Sequence, residues 1–242
     1  MPMSPTLRQR HVQPEVMDQP GLNGGEHHQA LSALARINWI SASGLILWPS
    51  IRALYQKRVK AGDTRPVRVL DVATGGGDVP VRLWRRAKRN RIPLQVSGCD
   101  VSPTAIEHAR QFASAHNAEV AFFQRDVLAE ALPDGFDVIT CSLFLHHLDE
   151  EQALALLRRM RESAGTLALV NDLERTPAGW WAAYFGSRIL TQSPVVHVDA
   201  LLSVEGAFTP GEALTLARRA GWEGARVCRR FPFRYLLSWR RP

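Results

Sequence analysis

The sequence predicts an α/β fold: a seven-stranded, mostly parallel sheet with helices on both faces and an antiparallel strand at its C-terminal end. Three observations carry this. From Pro66 to Asp172 short apolar runs alternate with amphipathic ones, as strands buried on both faces and joined by crossover helices do. The first run, "VRVLDVA", leads straight into the glycine turn "TGGG". The last two runs, "GARVCRRF" and "FRYLLSWR", are separated by Pro232 alone. That gap is too short for a crossover, so the two runs pair antiparallel at a sheet edge.

Each element has its own signal. Residues 1 to 25, rich in Pro, Gly and Gln, predict an irregular arm. Glu26 to Lys60 reads as helical, with Leu31, Leu34, Ala35 and Asn38 on one face. Leu45, Trp48, Ile51 and Leu54 form a second face, with a break near Pro49. These helices precede the first strand and carry Trp39, Trp48 and Tyr55, so they are expected to form a lid. The division is therefore 1–65, arm and lid, then 66–242, one domain with a lid insertion at 177–208.

After the glycines a helix opens at Asp78, and strand "LQVSGCD" follows. Pro103 suits the start of the next helix. Strand "EVAFFQRD", then "FDVITCSLFLHHL", then a helix from Asp149 to Ser163 and strand "GTLALVND" complete the alternation. Pro177 to Phe208 is aromatic and less regular, partly helical. In "FTPGEALTLARRAGW", Thr209 is the expected N-cap, Glu212 its capping-box partner and Gly221 the stop.

Composition narrows the class. The 242 residues are 45% apolar and 22% charged, the balance of a water-soluble globule. No apolar run approaches the roughly 20 residues a membrane span needs. The first residues lack an apolar signal core, so a cytoplasmic location is expected. Cys99, Cys141 and Cys228 lie far apart and read as small buried residues, with neither a disulfide frame nor metal-ligand spacing. Net charge is +7, mostly arginine. An RNA-binding or RNA-methylating protein is the different-class reading of that charge. Nucleic acid is disfavoured, because the arginines are scattered. The densest cluster, "RRAKRNR", complements the dipole at a helix C-terminus.

A glycine turn after a first strand brings a ligand onto backbone amides. Here Gly75, Gly76 and Gly77 are followed by Asp78, Val79 and Pro80, so the third glycine of a dinucleotide loop is missing. Asp71 before the turn would repel a pyrophosphate and welcome a cationic amino acid. Asp100 ends the second strand, where a carboxylate accepts ribose hydroxyls, and Asp126 ends the third. Singly, each carboxylate also reads as a loop cap or a solvated strand end. Together they suit adenosine bearing an amino acid.

With "VLDVATGGGD", "GCDVS", "RDVL", "FDVITCSLFLHHL" and "FTPGEALTLARRAGW", the chain resembles the class I S-adenosylmethionine-dependent methyltransferases, small-molecule branch, from Arg68 to Trp239. Ala73 departs from the pattern, which has its first glycine there. The resemblance implies a Rossmann-like methyltransferase fold and S-adenosyl-L-methionine as cofactor. It implies that Asp71, Ala73, Thr74, Gly75 and Gly77 hold the methionine part. Asp100 and Val101 would hold the ribose side, Asp126 and Val127 the adenine, and Ser142 the methyl end.

The acceptor is expected over the C-terminal strand edges. His147 is the first candidate base for taking a phenol proton, with His146, His197 and Asp172 behind it. Helix capping or packing is the plainer role for each histidine. Arg36, Trp39, Trp48, Trp181 and Tyr184 are candidate acceptor contacts, implying an aromatic or apolar small molecule. Core packing or a homodimer contact is the other reading of the aromatics. The expected reaction is O-methylation of a phenolic, polyketide-type or other small aromatic metabolite in secondary metabolism. C-methylation of a quinone precursor is the alternative, and no metal is expected.

Overall fold

The computed structural model describes residues 7–14 and 43–242. The element order is α1 (Ser43–Lys60), β1 (Val67–Val72), α2 (Asp78–Arg89), β2 (Leu94–Asp100), α3 (Pro103–Ala115), β3 (Val120–Gln124) and β4 (Phe136–Ser142). A 3₁₀ turn (Leu145–His147) follows, then α4 (Glu150–Ser163), β5 (Ala164–Leu173), α5 (Pro177–Leu190), α6 (Pro194–Gly206), α7 (Pro210–Arg219), β6 (Arg226–Arg230) and β7 (Arg234–Arg240). The seven strands form one sheet in the order β3-β2-β1-β4-β5-β7-β6. The first five are parallel, and β7 runs antiparallel to both β5 and β6. The C-terminal ends of β1, β2, β4 and β5 therefore share one edge.

Side-chain alternation along each strand sorts the sheet into two faces. Val69, Val138 and Leu169 face α1 and α2, while Leu70, Ile139 and Val170 face α4 and α7. Helix starts are fixed by their caps. Asp149 and Gln152 form a capping box at α4, and Thr209 and Glu212 another at α7.

Several expectations are corrected. Pro49 does not break α1, which runs unbroken through it. Proline removes one helical hydrogen bond, but Leu47, Trp48, Ile51 and Leu54 are buried against Val69 and Val138 and hold the helix together. Trp48 is thus a core residue, 4% exposed, rather than an acceptor contact, and Leu45 points outward, 51% exposed. The segment from 177 to 208 is more regular than expected, two helices opened by Pro177 and Pro194. Cys99 and Cys141 are buried, but Cys228 is exposed because β6 is the sheet edge. The predicted helix from Glu26, with Arg36 and Trp39, lies outside the described residues.

Part of the N-terminal arm is docked. Arg10 donates to the carbonyls of Leu145 (3.3 Å), His146 (3.0 Å), Leu148 and Gly206. Its guanidinium lies 3.6 Å from the centroid of the Phe208 ring. Arg175 reaches the carbonyls of Leu7 (3.1 Å) and Ala207 (2.6 Å) and the carboxylate of Glu212 (2.6 Å). Among the described residues, no helix is long and apolar enough to cross a membrane.

Candidate functional site

The loop from Ala73 to Gly77 is shaped by backbone angles. Ala73, Gly75 and Gly77 all have positive φ, at 51°, 53° and 78°. At Gly77 a Cβ would sit 2.8 Å from the Cβ of Ala109 and 2.9 Å from the Phe122 ring, so only glycine lets the loop pack on α3 and β3. At Gly75 a Cβ would meet no described residue within 4 Å.

Two carboxylates set the loop's position. Asp100 at the tip of β2 accepts from the Gly75 N–H (2.8 Å, Oδ2) and the Ser102 N–H (3.0 Å, Oδ1). Asp71 lies beneath the loop, 1% exposed, and accepts from the hydroxyls of Thr74 (2.8 Å) and Thr140 (2.6 Å). Burial pushes the Asp71 carboxyl up to about 7, against the pull of those two hydroxyls. Asp126 accepts from the backbone of Leu128 (2.8 Å) and Ala129 (3.2 Å), capping the turn after β3. Val127 is buried, and Val101 is 58% exposed beside Asp100.

Beyond β4 a second group of polar side chains lies at the same edge. Ser142 pairs in register with Asn171, and Leu173 with Arg234. Asn171 is fully buried, and among the described residues neither its Oδ1 nor its Nδ2 has a hydrogen-bond partner. The Ser142 hydroxyl and the Asp78 Oδ2 are likewise without a hydrogen-bond partner among the described residues. Burial raises the Asp78 carboxyl, with Arg82 pulling the other way. Burial lowers Arg234 to about 10, opposed by the charges of Asp172 and Asp78.

The candidate bases fall into different settings. His146, 6% exposed, is held by Asp172, whose Oδ1 lies 2.6 Å from its Nδ1 and whose Oδ2 accepts its backbone N–H at 3.1 Å. Burial works to raise Asp172, but the His146 charge and the hydrogen bonds from His146 and Leu173 outweigh it, so its pKa is lowered. Tyr235, paired with Asp172 across β5 and β7, is fully buried and pushed well above the usual tyrosine range by desolvation. His147 is half-buried, its ring centroid 4.3 Å from that of His146 and 6.1 Å from that of Phe144. His197 sits apart on α6, with Nε2 2.8 Å from the Thr191 carbonyl. Trp181 and Tyr184 are half-buried on α5, their centroids 5.8 Å apart.

Asn171, Asp78, Arg234, Tyr235 and Arg10 were missed from sequence. Asn171 carried the one available signal, an amide inside the otherwise apolar run "LALVND".

Residues 69–164 match the family model described as a methyltransferase domain. The chain is 35% identical over 147 residues to a demethylmenaquinone methyltransferase of Deinococcus radiodurans, covering 60% of this chain and 58% of that one. It is 32% identical over 130 residues to a ubiquinone biosynthesis O-methyltransferase of Alkalilimnicola ehrlichii, covering 52% of this chain and 49% of that one. The match therefore spans half to three-fifths of these relatives' length. Among solved structures, the S-adenosylmethionine-dependent methyltransferase SibL in its apo form superposes with a TM-score of 0.66 at 21% identity. That superposition covers 98% of this chain and 65% of SibL. Over residues 69–164 the chain thus matches a methyltransferase domain, and its fold is the Rossmann-like fold of the class I methyltransferases. The cofactor of the class is S-adenosyl-L-methionine.

The residues present fit that cofactor. The two Asp100 oxygens each accept a backbone N–H at the tip of β2, beside Gly75, whose outer side meets no other described residue within 4 Å. The unpartnered Asp78 Oδ2 and Ser142 hydroxyl offer acceptors for an ammonium. Among the described residues, no three His, Cys, Asp or Glu side chains gather as a metal site.

Proposed function

We propose that this chain is an S-adenosyl-L-methionine-dependent methyltransferase acting on a hydroxyl of a small phenolic or polyketide-type ring. One observation carries the reading: Asp100 fixes the Gly75 amide at 2.8 Å, and the outer side of Gly75 meets no other described residue, within a stretch that matches a methyltransferase domain. Asp100 and Val101 take the ribose side, Asp126 and Val127 the adenine. Ala73, Thr74 and Gly77 shape the methionine pocket, with Asp71 positioning it from below and Ser142 at its far end.

The bound cofactor supplies a methyl group already activated on a sulfonium. The chain's own task is to orient the acceptor, exclude water and receive one proton. His147, half-exposed on the turn after β4, is placed to take that proton. His146, whose Nδ1 is hydrogen-bonded to the Asp172 carboxylate, is the first alternative. Trp181 and Tyr184 on α5 offer flat apolar surface for a ring, and Arg36, Trp39 and His197 complete the candidate set.

A second reading, methylation of a ring carbon in a quinone precursor, is supported by the demethylmenaquinone methyltransferase relative. A transfer assay with methyl-labelled cofactor against phenols, quinols, resorcinols and tRNA, followed by product mass spectrometry, decides between them. Label on tRNA alone would refute both.

A further inference from the structure

We propose that Asn171, with Ser142 beside it, forms a polar floor that reads a hydroxyl group on the acceptor ring. The inference deepens the methyltransferase reading and rests on it. Asn171 is fully buried, yet among the described residues both ends of its amide lack a hydrogen-bond partner. Ser142, its neighbour in the β4–β5 register, has a buried hydroxyl with no partner among the described residues. Buried polar groups are almost always satisfied, so two adjacent orphans at a strand edge call for a ligand group. An amide offers a donor and an acceptor side by side. A ring hydroxyl, itself donor and acceptor, satisfies either half, and two ring hydroxyls satisfy both.

Position separates Asn171 from the cofactor. The carboxylates and glycines lie on β1 and β2, whereas Asn171 is on β5, on the other side of β4. Local charge argues that the hydroxyl enters neutral. Arg234 on β7 is already opposed by Asp172 on β5 and Asp78 on α2, and Asp71 on β1 and Arg82 on α2 add one charge of each sign. His146 and His147 face Asp172 from the turn after β4.

The test is Asn171→Leu in the full chain, a change that keeps side-chain volume and deletes both polar ends. A residue kept for binding leaves the fold no weaker when it is made apolar. The variant should melt at or above the wild-type temperature and bind S-adenosylhomocysteine within about twofold of wild type. With that ligand saturating, its affinity for orcinol by ligand-observed NMR should fall about tenfold, that is one to two lost hydrogen bonds, with toluene unaffected. Ser142→Ala, which also borders the cofactor, should lower orcinol affinity about threefold at saturating S-adenosylhomocysteine, on top of any change in affinity for that ligand. A lower melting temperature for both variants would make the pair structural and overturn the proposal. Loss of S-adenosylhomocysteine affinity would assign Asn171 to the cofactor, and unchanged orcinol binding would remove it from the acceptor site. If wild type itself fails to bind S-adenosylhomocysteine, the methyltransferase reading falls, while the melting comparison still reports on Asn171.

Discussion

The Nδ1 of His146 lies 2.6 Å from the Oδ1 of Asp172, inside the fold and at the end of β5. The pair ties the turn that carries both candidate bases to the sheet. Asp172→Asn should cost about 1–3 kcal/mol in urea unfolding at pH 7.5. The Asp172 pKa is lowered by folding, so its contribution is present above the unfolded value near 4 and is lost as pH falls through the folded value. Wild type should lose that increment on acidification below about pH 4, and the variant should lack the slope.

His147 is the more accessible of the two imidazoles. His147→Ala should lower turnover on a phenol by about 10²–10⁴ at neutral pH. The rate should recover in part at high pH, where the phenol ionises unaided. Wild-type turnover at pH 7 would show that positioning alone suffices.

Asp100→Ala should weaken S-adenosylhomocysteine binding more than a single contact would, because the carboxylate also holds the Gly75 amide. Two charge-assisted bonds at about 1.5–3 kcal/mol each set the scale. Calorimetry reads the loss directly, and unchanged affinity would exclude Asp100 from the site.

Asp71, raised to about 7 by burial, gives cofactor affinity a pH dependence. A cationic amino group favours the ionised carboxylate, so binding releases a proton. Affinity for S-adenosylhomocysteine should rise from pH 6 to 8, and Asp71→Asn should flatten the profile. A flat wild-type profile would mean that Asp71 only holds Thr74 and Thr140.

Ala73 occupies a left-handed conformation, φ 51°, that costs a non-glycine residue about 1–2 kcal/mol. Glycine there relieves the strain but adds about 0.4–1 kcal/mol of unfolded-state entropy. Ala73→Gly should therefore raise stability modestly, with the change visible as a higher urea midpoint at unchanged slope.

Ala73 also shows what the sequence could reveal. A glycine-rich turn after an apolar strand is a local signal, and so are the carboxylates at strand tips and the caps at Thr209 and Asp149. Those features depend on neighbours in the chain. Arg234 and Asn171 lie on adjacent strands only because β7 inserts between β5 and β6, an order that no local spacing encodes. Trp48 lies in the core, against the expectation from sequence, for a related reason. Its helix precedes the sheet in sequence but covers it in space, and aromatic content alone does not separate a pocket wall from a core.

The contacts of Arg10 have a kinetic meaning. Its partner Gly206 is 196 residues away in the chain. During synthesis at about 5–20 residues per second, Arg10 waits about 10–40 s for that carbonyl to be made. The carbonyls of Leu145, His146 and Leu148, 135 to 138 residues away, are made earlier, so the guanidinium can gather the turn before Gly206 joins it. The full set of Arg10 contacts is thus completed only after β1 to β5 have been made.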